Sequence, residues 1–329
     1  MSRQGQAQDR TAENVRDFWN REAEEWGHNP QVTIRDHYFR LLELNLICQL
    51  IKGRSKVLDI GCGTGFSTLF YGQEVREIVG ADFAQSMVRW ARRFLDDAEY
   101  FRRTMAEYAA ENRIGLRGNI RFEEGNILDL KYPAATFDAV VAERVLINLP
   151  TVALHDQAVT EVARILAPGG RWLLVEVTQQ GHETVDRLRG MFGLSIIEKY
   201  WHNLYVEEPH LAEAVKATGL TIQSVRRFET FHFLTKVMHP LIVAPAEPKF
   251  LAGFNNAARW VAEEFPTYRD VAALGLERFL REKFRPHLER FDPEKLPRFD
   301  LVSNEIVRVS PDFSGCSHQV LFVLDKPGA

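Results

Sequence analysis

The sequence predicts an α/β fold built on a mostly parallel sheet. Five stretches are typical of strands, four because they are apolar and the third because its residues alternate, and segments with helical periodicity separate them. The stretches are KVLDI at 56–60, EIVGAD at 77–82, NIRFEEGN at 119–126, FDAVVAE at 137–143 and RWLLVEV at 171–177. Strands that alternate with helices belong to parallel sheets, because the connecting helix must cross a face of the sheet. We therefore expect one sheet with helices on both faces.

A glycine-rich loop follows the first of these strands. Gly61, Gly63 and Gly65 stand at alternate positions in KVLDIGCGTG, and Asp59 lies two residues before the first of them. Glycine tolerates positive φ and has no Cβ, so the loop can turn sharply and a ligand can rest against its backbone. The helix expected from Phe66 would point its first N–H groups at the loop. This order of strand, loop and helix indicates a nucleotide-type binding site.

The spacing of the glycines distinguishes between classes of nucleotide. Dinucleotide-binding loops have the pattern G-x-G-x-x-G, whereas this loop has G-x-G-x-G, which disfavours a nicotinamide oxidoreductase. The segment resembles the first motif of class I S-adenosylmethionine (SAM)-dependent methyltransferases, (V/L)LD-x-G-x-G-x-G, at every position. Asp82 ends the second strand seventeen residues after Gly65. It is similar to the acid that binds the ribose hydroxyls in that family.

The resemblance to small-molecule members of this family implies a fold, a cofactor and a reaction class. The implied fold is a Rossmann-like sheet of seven strands, mostly parallel, with helices on both faces. The implied cofactor is SAM, and the product formed from it is S-adenosylhomocysteine (SAH). The chain is thus expected to be a methyltransferase with a small-molecule substrate.

The resemblance also assigns cofactor contacts position by position. The glycine loop should meet the ligand through its backbone, Asp59 should lie near the methionine end, and Asp82 should hold the ribose. Gly125-Asn126 stands where family members often have Gly-Asp beside the adenine, and the Asn carbonyl can still accept a hydrogen bond. The full set of expected cofactor-binding residues is Asp59, Gly61, Cys62, Gly63, Asp82, Phe83, Met87, Asn126, Ile127, Glu143, Arg144, Trp26 and Tyr38.

Composition argues against several kinds of partner. The chain has 329 residues and a formal net charge of −4, so it is not expected to bind nucleic acid by bulk charge. It contains only three scattered cysteines, as is usual in a reducing cytoplasm. No apolar run is long enough to cross a bilayer, and the N-terminus lacks the apolar segment of a signal peptide. We expect a cytoplasmic protein with no membrane partner.

The order of the elements predicts four parts. Residues 1–53 should form an N-terminal helical lid with helices at 11–26 and 34–52. Residues 54–233 should form the SAM-binding core, with an insertion at 178–207 and a sixth strand at 220–233. Residues 234–316 should form a helical cap that carries substrate specificity, and 317–329 should contain the last strand. The aromatic-rich insertions could also form the surface of a homodimer.

Methyl transfer to a hydroxyl needs alignment with the SAM methyl group and a base. His202 is the first candidate for the base, because it lies in the aromatic and amide cluster YWHNLY just after the fifth strand. Further candidates are Tyr205, His155, His232 and Glu143. The expected substrate-binding residues are Arg144, Trp201 and His232.

The sequence disfavours two other classes of methyltransferase, but it does not determine which atom accepts the methyl group. A nucleic-acid amino methyltransferase would show Asn/Asp-Pro-Pro-Tyr/Phe after the fourth strand, where this chain has AERVLIN. A metal-assisted enzyme would need Glu143 and Glu176 to share a cation, and we expect no metal. O-methylation of a sugar unit or secondary metabolite is the favoured reaction. C- or N-methylation is the alternative, and a non-catalytic SAM-binding protein is less favoured.

Overall fold

The computed structural model describes residues 9–106, 114–244, 246, 250 and 252–328. Residues 1–8 of the predicted lid, 107–113 of the core, 245, 247–249 and 251 of the cap and 329 after the last strand lie outside the described residues.

A seven-stranded sheet forms the centre of the molecule. Its strands are β1 Lys56–Ile60, β2 Glu77–Asp82, β3 Ile120–Glu124, β4 Phe137–Glu143, β5 Leu166–Val177, β6 Thr221–Arg227 and β7 Gln319–Asp325. The spatial order is β3-β2-β1-β4-β5-β7-β6, and only β7 runs antiparallel to its neighbours. The predicted fold class is confirmed.

The central position of β1 explains its apolar sequence. β1 pairs with β2 on one side and with β4 on the other, so both of its faces are covered. Val57 and Leu58 are fully buried and belong to separate apolar clusters. Because the carboxyl ends of parallel strands meet at one edge, Asp59, Asp82 and Glu143 lie at the same edge of the sheet.

Helices cover both faces of the sheet. They are α1 Ala12–Trp26, α2 His37–Ile51, α3 Phe66–Glu74, α4 Gln85–Asp96, α5 Ala98–Thr104, α6 Val152–Ile165, α7 Gln179–Met191, α8 Glu208–Ala217, α9 at 229–243, α10 Gly253–Glu264, α11 Tyr268–Leu274, α12 at 276–291 and α13 Leu296–Val309. Short 3-10 turns cover Pro30–Val32, Leu146–Asn148 and Pro293–Lys295. The Thr11 side chain caps α1, and the Asp36 carboxylate caps α2 by accepting from the Phe39 N–H at 3.1 Å.

The two helices before β1 pack on different parts of the core. α1 lies against α4, whereas α2 lies against α3 and α10. Trp19 of α1 donates a hydrogen bond to Asn148 at 3.0 Å, which ties this helix to the loop after β4. Both helices therefore border the edge of the sheet that carries the acidic residues.

The predicted sixth strand is too long. β6 ends at Arg227, and residues 229–243 form a helix that includes a π-helical turn, Phe233–Met238. The buried side chains of Phe231, Leu234 and Met238 repeat every three or four residues, which fits a helix and not the two-residue alternation of a strand. His232 therefore lies on α9, in the helical segment between β6 and β7.

Candidate active site

A cavity of about 390 Å³ opens at the carboxyl ends of the parallel strands. The glycine loop after β1, the ends of β2 and β4, and the segments before α2 supply one part of its wall. α1, the loop at 197–205, α9 and the start of β7 supply the rest. One cavity thus joins the nucleotide-type loop to the segments that were predicted to bind substrate.

The glycine loop has the backbone that its sequence predicts. Gly61 and Gly63 have φ of 79° and 55°, in the left-handed region. The Gly61 N–H donates to the Ala81 carbonyl of β2 at 2.7 Å, which holds the turn closed. A Cβ at Gly61 would lie 2.4 Å from Val145 Cγ2, so a side chain has no room there. Gly61 therefore contributes only backbone to the cavity wall.

Two buried acids support the loop. The Asp82 carboxylate accepts hydrogen bonds from the backbone N–H groups of Gly63 and Ala84, each at 2.9 Å. Asp59 accepts from the Thr68 hydroxyl at 2.6 Å. Burial raises the pKa of Asp59 to about 8 and that of Asp82 to about 6, because water is excluded from both carboxyls. Both acids line the cavity, where hydroxyl or ammonium donors of a ligand could reach them.

The remaining predicted cofactor residues differ in their placement. Those that line the cavity, besides the glycine loop and its acids, are Trp26, Cys62, Phe83, Met87, Asn126, Ile127, Glu143 and Arg144. The Asn126 side-chain carbonyl accepts from the Leu128 N–H at 3.0 Å, so it already shapes its own turn. Tyr38 is not part of the cavity wall, and packs instead against the apolar cluster that contains α2.

A charged network closes the cavity beneath the end of β4. Arg144 donates hydrogen bonds to Glu43 at 2.7 Å and to Glu143 at 3.0 Å. Tyr71 donates its hydroxyl proton to the other oxygen of Glu143 at 2.6 Å. Burial raises the pKa of Glu43, although the nearby Arg144 guanidinium opposes this change. Arg144 has φ of 58°, a rare conformation for a residue with a side chain.

Glu176 holds the loop after β4. Its carboxylate accepts hydrogen bonds from the backbone N–H groups of Val145 at 2.8 Å, Leu146 at 2.6 Å and Ile147 at 3.3 Å. These contacts use most of the acceptor capacity of the carboxylate. Within the part of the chain that the structure describes, no group of three or more His, Cys, Asp or Glu residues could hold a metal ion.

An aromatic compartment surrounds His202. Its ring stacks on Phe18 with 4.4 Å between centroids and on Tyr200 with 5.6 Å, and Trp19 and Trp201 meet it edge-on. His202 Nδ1 is buried with no hydrogen-bond partner among the described residues. Burial lowers the pKa of His202 to about 4, so the ring is neutral near pH 7. All five rings line the cavity.

The other candidate bases have different surroundings. Tyr205 lines the cavity, and burial raises the pKa of its hydroxyl to about 12. His232 also lines it, and burial holds the pKa of its ring well below the usual range. His155 does not line the cavity, because it is buried on the inner face of α6. The Glu143 carboxylate is engaged by Tyr71 and Arg144, as described above.

Sequence reasoning missed several polar residues of this site. Arg40 and Glu43 stand one turn apart in the otherwise apolar helix α2, and Lys236 stands alone in the apolar run FHFLTKVM. A charge inside an apolar helix is a detectable signal, because an unpaired buried charge is costly. The missed cavity residues are Asp36, Arg40, Lys236, His318 and Gln319, to which the network behind the wall adds Glu43 and Tyr71.

Comparison with known proteins identifies the family. Residues 58–174 match the family model described as a methyltransferase domain. The chain carries a methyltransferase domain of the class I SAM-dependent family. SAM is the cofactor of this family, and the glycine loop of this methyltransferase lies inside the matched segment.

Individual relatives agree with this assignment. The demethylmenaquinone methyltransferase of Lactiplantibacillus plantarum is 26% identical over 194 residues, which cover 56% of this chain and 74% of the relative. The ubiquinone/menaquinone biosynthesis C-methyltransferase of Pasteurella multocida is 27% identical over 155 residues, 46% of this chain and 51% of the relative. The present chain thus spans about half the length of the Pasteurella multocida relative.

A solved structure supports the fold over nearly the full chain. The geranyl diphosphate C-methyltransferase of Streptomyces coelicolor has a TM-score of 0.51 and 13% identity, and the match covers 96% of this methyltransferase and 98% of that chain. None of the helices in the described ranges is long and apolar enough to cross a membrane.

Proposed function

We propose that this methyltransferase transfers the methyl group of SAM to a hydroxyl oxygen of a small, mainly aromatic or aliphatic acceptor. One observation carries the proposal: the bare backbone of Gly61 and the His202 compartment line the same cavity. A methyl donor bound at the glycine loop and a methyl acceptor bound among the aromatic rings would therefore meet inside one cavity. Aromatic walls favour an acceptor with a large apolar body.

The described residues fit SAM at the strand ends. The backbone of Gly61 lines the cavity, and each Asp82 oxygen, at the end of β2, can accept a further hydrogen bond from a ribose hydroxyl. Asp59 and Glu143 place carboxyl groups in a wall that would face the ammonium and sulfonium groups, and a bound ammonium would favour the ionised form of Asp59. Bound SAM supplies an electrophilic methyl carbon and a neutral thioether leaving group.

His202 is the base that the surroundings favour. It is neutral near pH 7 and therefore has a lone pair free to accept a proton. Tyr205 keeps its own proton at that pH, since burial raises its pKa to about 12. Glu143 is held by two hydrogen bonds, and His155 lies outside the cavity wall. We assign proton removal from the acceptor to His202 and alignment of the acceptor to Trp201 and Arg144.

Methylation of carbon is the second candidate. Two relatives are a demethylmenaquinone methyltransferase and a C-methyltransferase of ubiquinone/menaquinone biosynthesis. A phenol or enol that has lost its proton can attack through oxygen or through the adjacent carbon, so the same base would serve both reactions. The site residues are therefore the same under either acceptor atom.

Labelled methyl transfer tests the proposal. The protein is incubated with SAM that carries a ¹³C-methyl group and with matched phenols, enols, alcohols and amines, and the products are measured by mass spectrometry and NMR. We expect a labelled product whose ¹³C chemical shift is that of a methoxy group. A methyl group on carbon would replace the first candidate by the second. A protein that binds SAH but gives no labelled product with any acceptor class would count against methyl transfer.

A further inference from the structure

Lys236 places an ammonium group in the wall of the cavity. It lies in the π-helical turn Phe233–Met238 of α9, and its Nζ lies 5.2 Å from the centroid of the Phe250 ring. Among the residues that the structure describes, no carboxylate oxygen lies within 4.0 Å of this nitrogen, so Lys236 forms no ion pair with them. A partly buried cation without an ion pair is costly.

The nearest acid is engaged elsewhere. Asp36 lowers the cost of the Lys236 charge through space, but its two oxygens accept from the Phe39 N–H at 3.1 Å and from the Asn255 amide at 3.1 Å. These contacts cap α2 and fix α10 against it. The ammonium of Lys236 therefore keeps its hydrogen-bonding capacity for a group inside the cavity.

Two neutral histidines adjoin this cation. His232 and His318 line the same part of the cavity, and their ring centroids are 6.4 Å apart. His232 Nδ1 and His318 Nε2 are buried with no hydrogen-bond partner among the described residues. Burial holds the pKa of both rings well below the usual range, with a smaller contribution from Lys236. This cluster therefore offers one positive charge and two uncharged imidazoles.

The single positive charge of this cluster favours one kind of anionic group on the ligand over another. A phosphate or diphosphate would bring two or more negative charges to a site with one cation and with Asp36 close by. A carboxylate brings one negative charge and two oxygens, which match one ammonium and one or two imidazole N–H donors. The surrounding rings of Phe39 and Tyr205 suit an apolar body next to that carboxylate.

The sheet order sets the distance between the two ends of such a ligand. Gln319 begins β7 and pairs with Val177 of β5, and β5 pairs with β4, which ends at Glu143. Two strand spacings separate β4 from β7, which is roughly 10 Å. The reacting atom of the acceptor would lie near the end of β4, and the Lys236 cluster lies near the start of β7.

We propose that Lys236, His232 and His318 form an anchor for a carboxylate on the methyl acceptor. The acceptor is then an apolar, ring-sized molecule with a carboxylate at one end and a nucleophilic hydroxyl roughly 10 Å away. This inference rests on the proposed function, because it takes the cavity to be the acceptor site. It assigns the anchor to α9 and to the residue just before β7, outside the matched methyltransferase segment at 58–174.

Matched ligands test the anchor. The probes are 6-hydroxy-2-naphthoate and its neutral analogue 6-hydroxy-2-naphthamide, and their affinities are measured by fluorescence with and without SAH. We expect the wild type to bind the carboxylate at least about tenfold more tightly than the amide, as a charge-assisted hydrogen bond allows. Lys236→Gln should abolish this preference, and Lys236→Arg should keep most of it.

A control variant separates the anchor from general charge effects. Lys283→Gln removes a cation on the outer surface of the helical segment, where it pairs with Glu264, and should leave the preference unchanged. Equal affinities for the two probes, or no binding of either, would overturn the anchor. A preference that survives in Lys236→Gln with unchanged thermal unfolding would also overturn it. The proposed function is judged separately, by whether the wild type gives a labelled product in the methyl-transfer experiment above.

Discussion

Arg144 donates one hydrogen bond to Glu43 of α2, at 2.7 Å, and another to Glu143 of β4, at 3.0 Å. Only 12% of the Arg144 side chain is exposed, and the Glu43 side chain is fully buried. One guanidinium thus neutralises two carboxylates and joins a helix outside the matched methyltransferase segment to the end of a central strand. The free energy of a buried charge network depends strongly on the presence of each partner.

Removal of the Arg144 charge should therefore destabilise the protein. Arg144→Met leaves two buried carboxylates without their cation, and we expect the free energy of unfolding in urea to fall by about 3 kcal/mol. Arg278→Met is the matched control, because Arg278 pairs with Glu282 on the exposed surface and its loss should change little. Equal stability of Arg144→Met and the wild type would contradict this role of the network.

A single methyl group at Gly61 should prevent cofactor binding. In Gly61→Ala the new Cβ would lie 2.4 Å from Val145 Cγ2 at a position with φ of 79°, so the loop must move. Calorimetry should detect no SAH binding by this variant. Gly53→Ala provides the control, since Gly53 has φ of 78° but a Cβ added there would have no neighbouring atom within 4 Å. It should carry a similar backbone strain of about 1 kcal/mol and bind SAH normally. SAH binding by both variants alike would show that the loop does not contact the cofactor.

The affinity for SAM should depend on pH through Asp59. Its pKa of about 8 in the free protein means that the carboxyl is mostly protonated at pH 7. A bound ammonium favours the carboxylate, so binding should release a proton below pH 8. Affinity should thus rise with pH by up to about tenfold per unit and level off above the pKa of Asp59. Calorimetry in buffers of different ionisation enthalpy measures the released proton. If the affinity of Asp59→Asn for SAM still rises with pH in the same way, the released proton comes from another group.

His202 should affect turnover and not cofactor affinity. His202→Phe keeps an aromatic ring between Phe18 and Tyr200 but removes the nitrogen, so turnover should fall by about 100-fold or more while SAH affinity is unchanged. Because the pKa of His202 is about 4, the wild-type kcat/KM should show no loss that is due to His202 between pH 6 and 8 and should fall only as pH approaches 4. His210→Phe removes a histidine that pairs with Asp156 outside the cavity wall and is the control. Full turnover by His202→Phe would exclude it as the base.

The sequence predicts the fold and the glycine loop well because both depend on local patterns. The apolar run of β1, the positive φ at Gly61 and the acid Asp82 follow from short-range requirements of strand burial and backbone geometry. β6 was predicted too long because its alternating polar pattern runs directly into the apolar segment of α9, where the helical period only emerges over three turns.

The acceptor side of the site could not be predicted in the same way. Lys236, His318 and Asp36 come from segments that are far apart in the sequence, and only the tertiary fold brings them to one cavity. His202 was singled out for its neighbours in the chain, yet its ring contacts Phe18 and Trp19 of the first helix. Such contacts depend on how α1 and the loop at 197–205 pack, which local patterns do not determine.

A calorimetric titration of the wild-type protein with SAH tests the central claim, that the glycine-loop cavity is a SAM site. We expect one binding site per chain with a dissociation constant of about 1 to 100 μM, as is common for enzymes of small molecules, and a matching rise in Tm. No heat of binding and no change in Tm at millimolar SAH would contradict the claim.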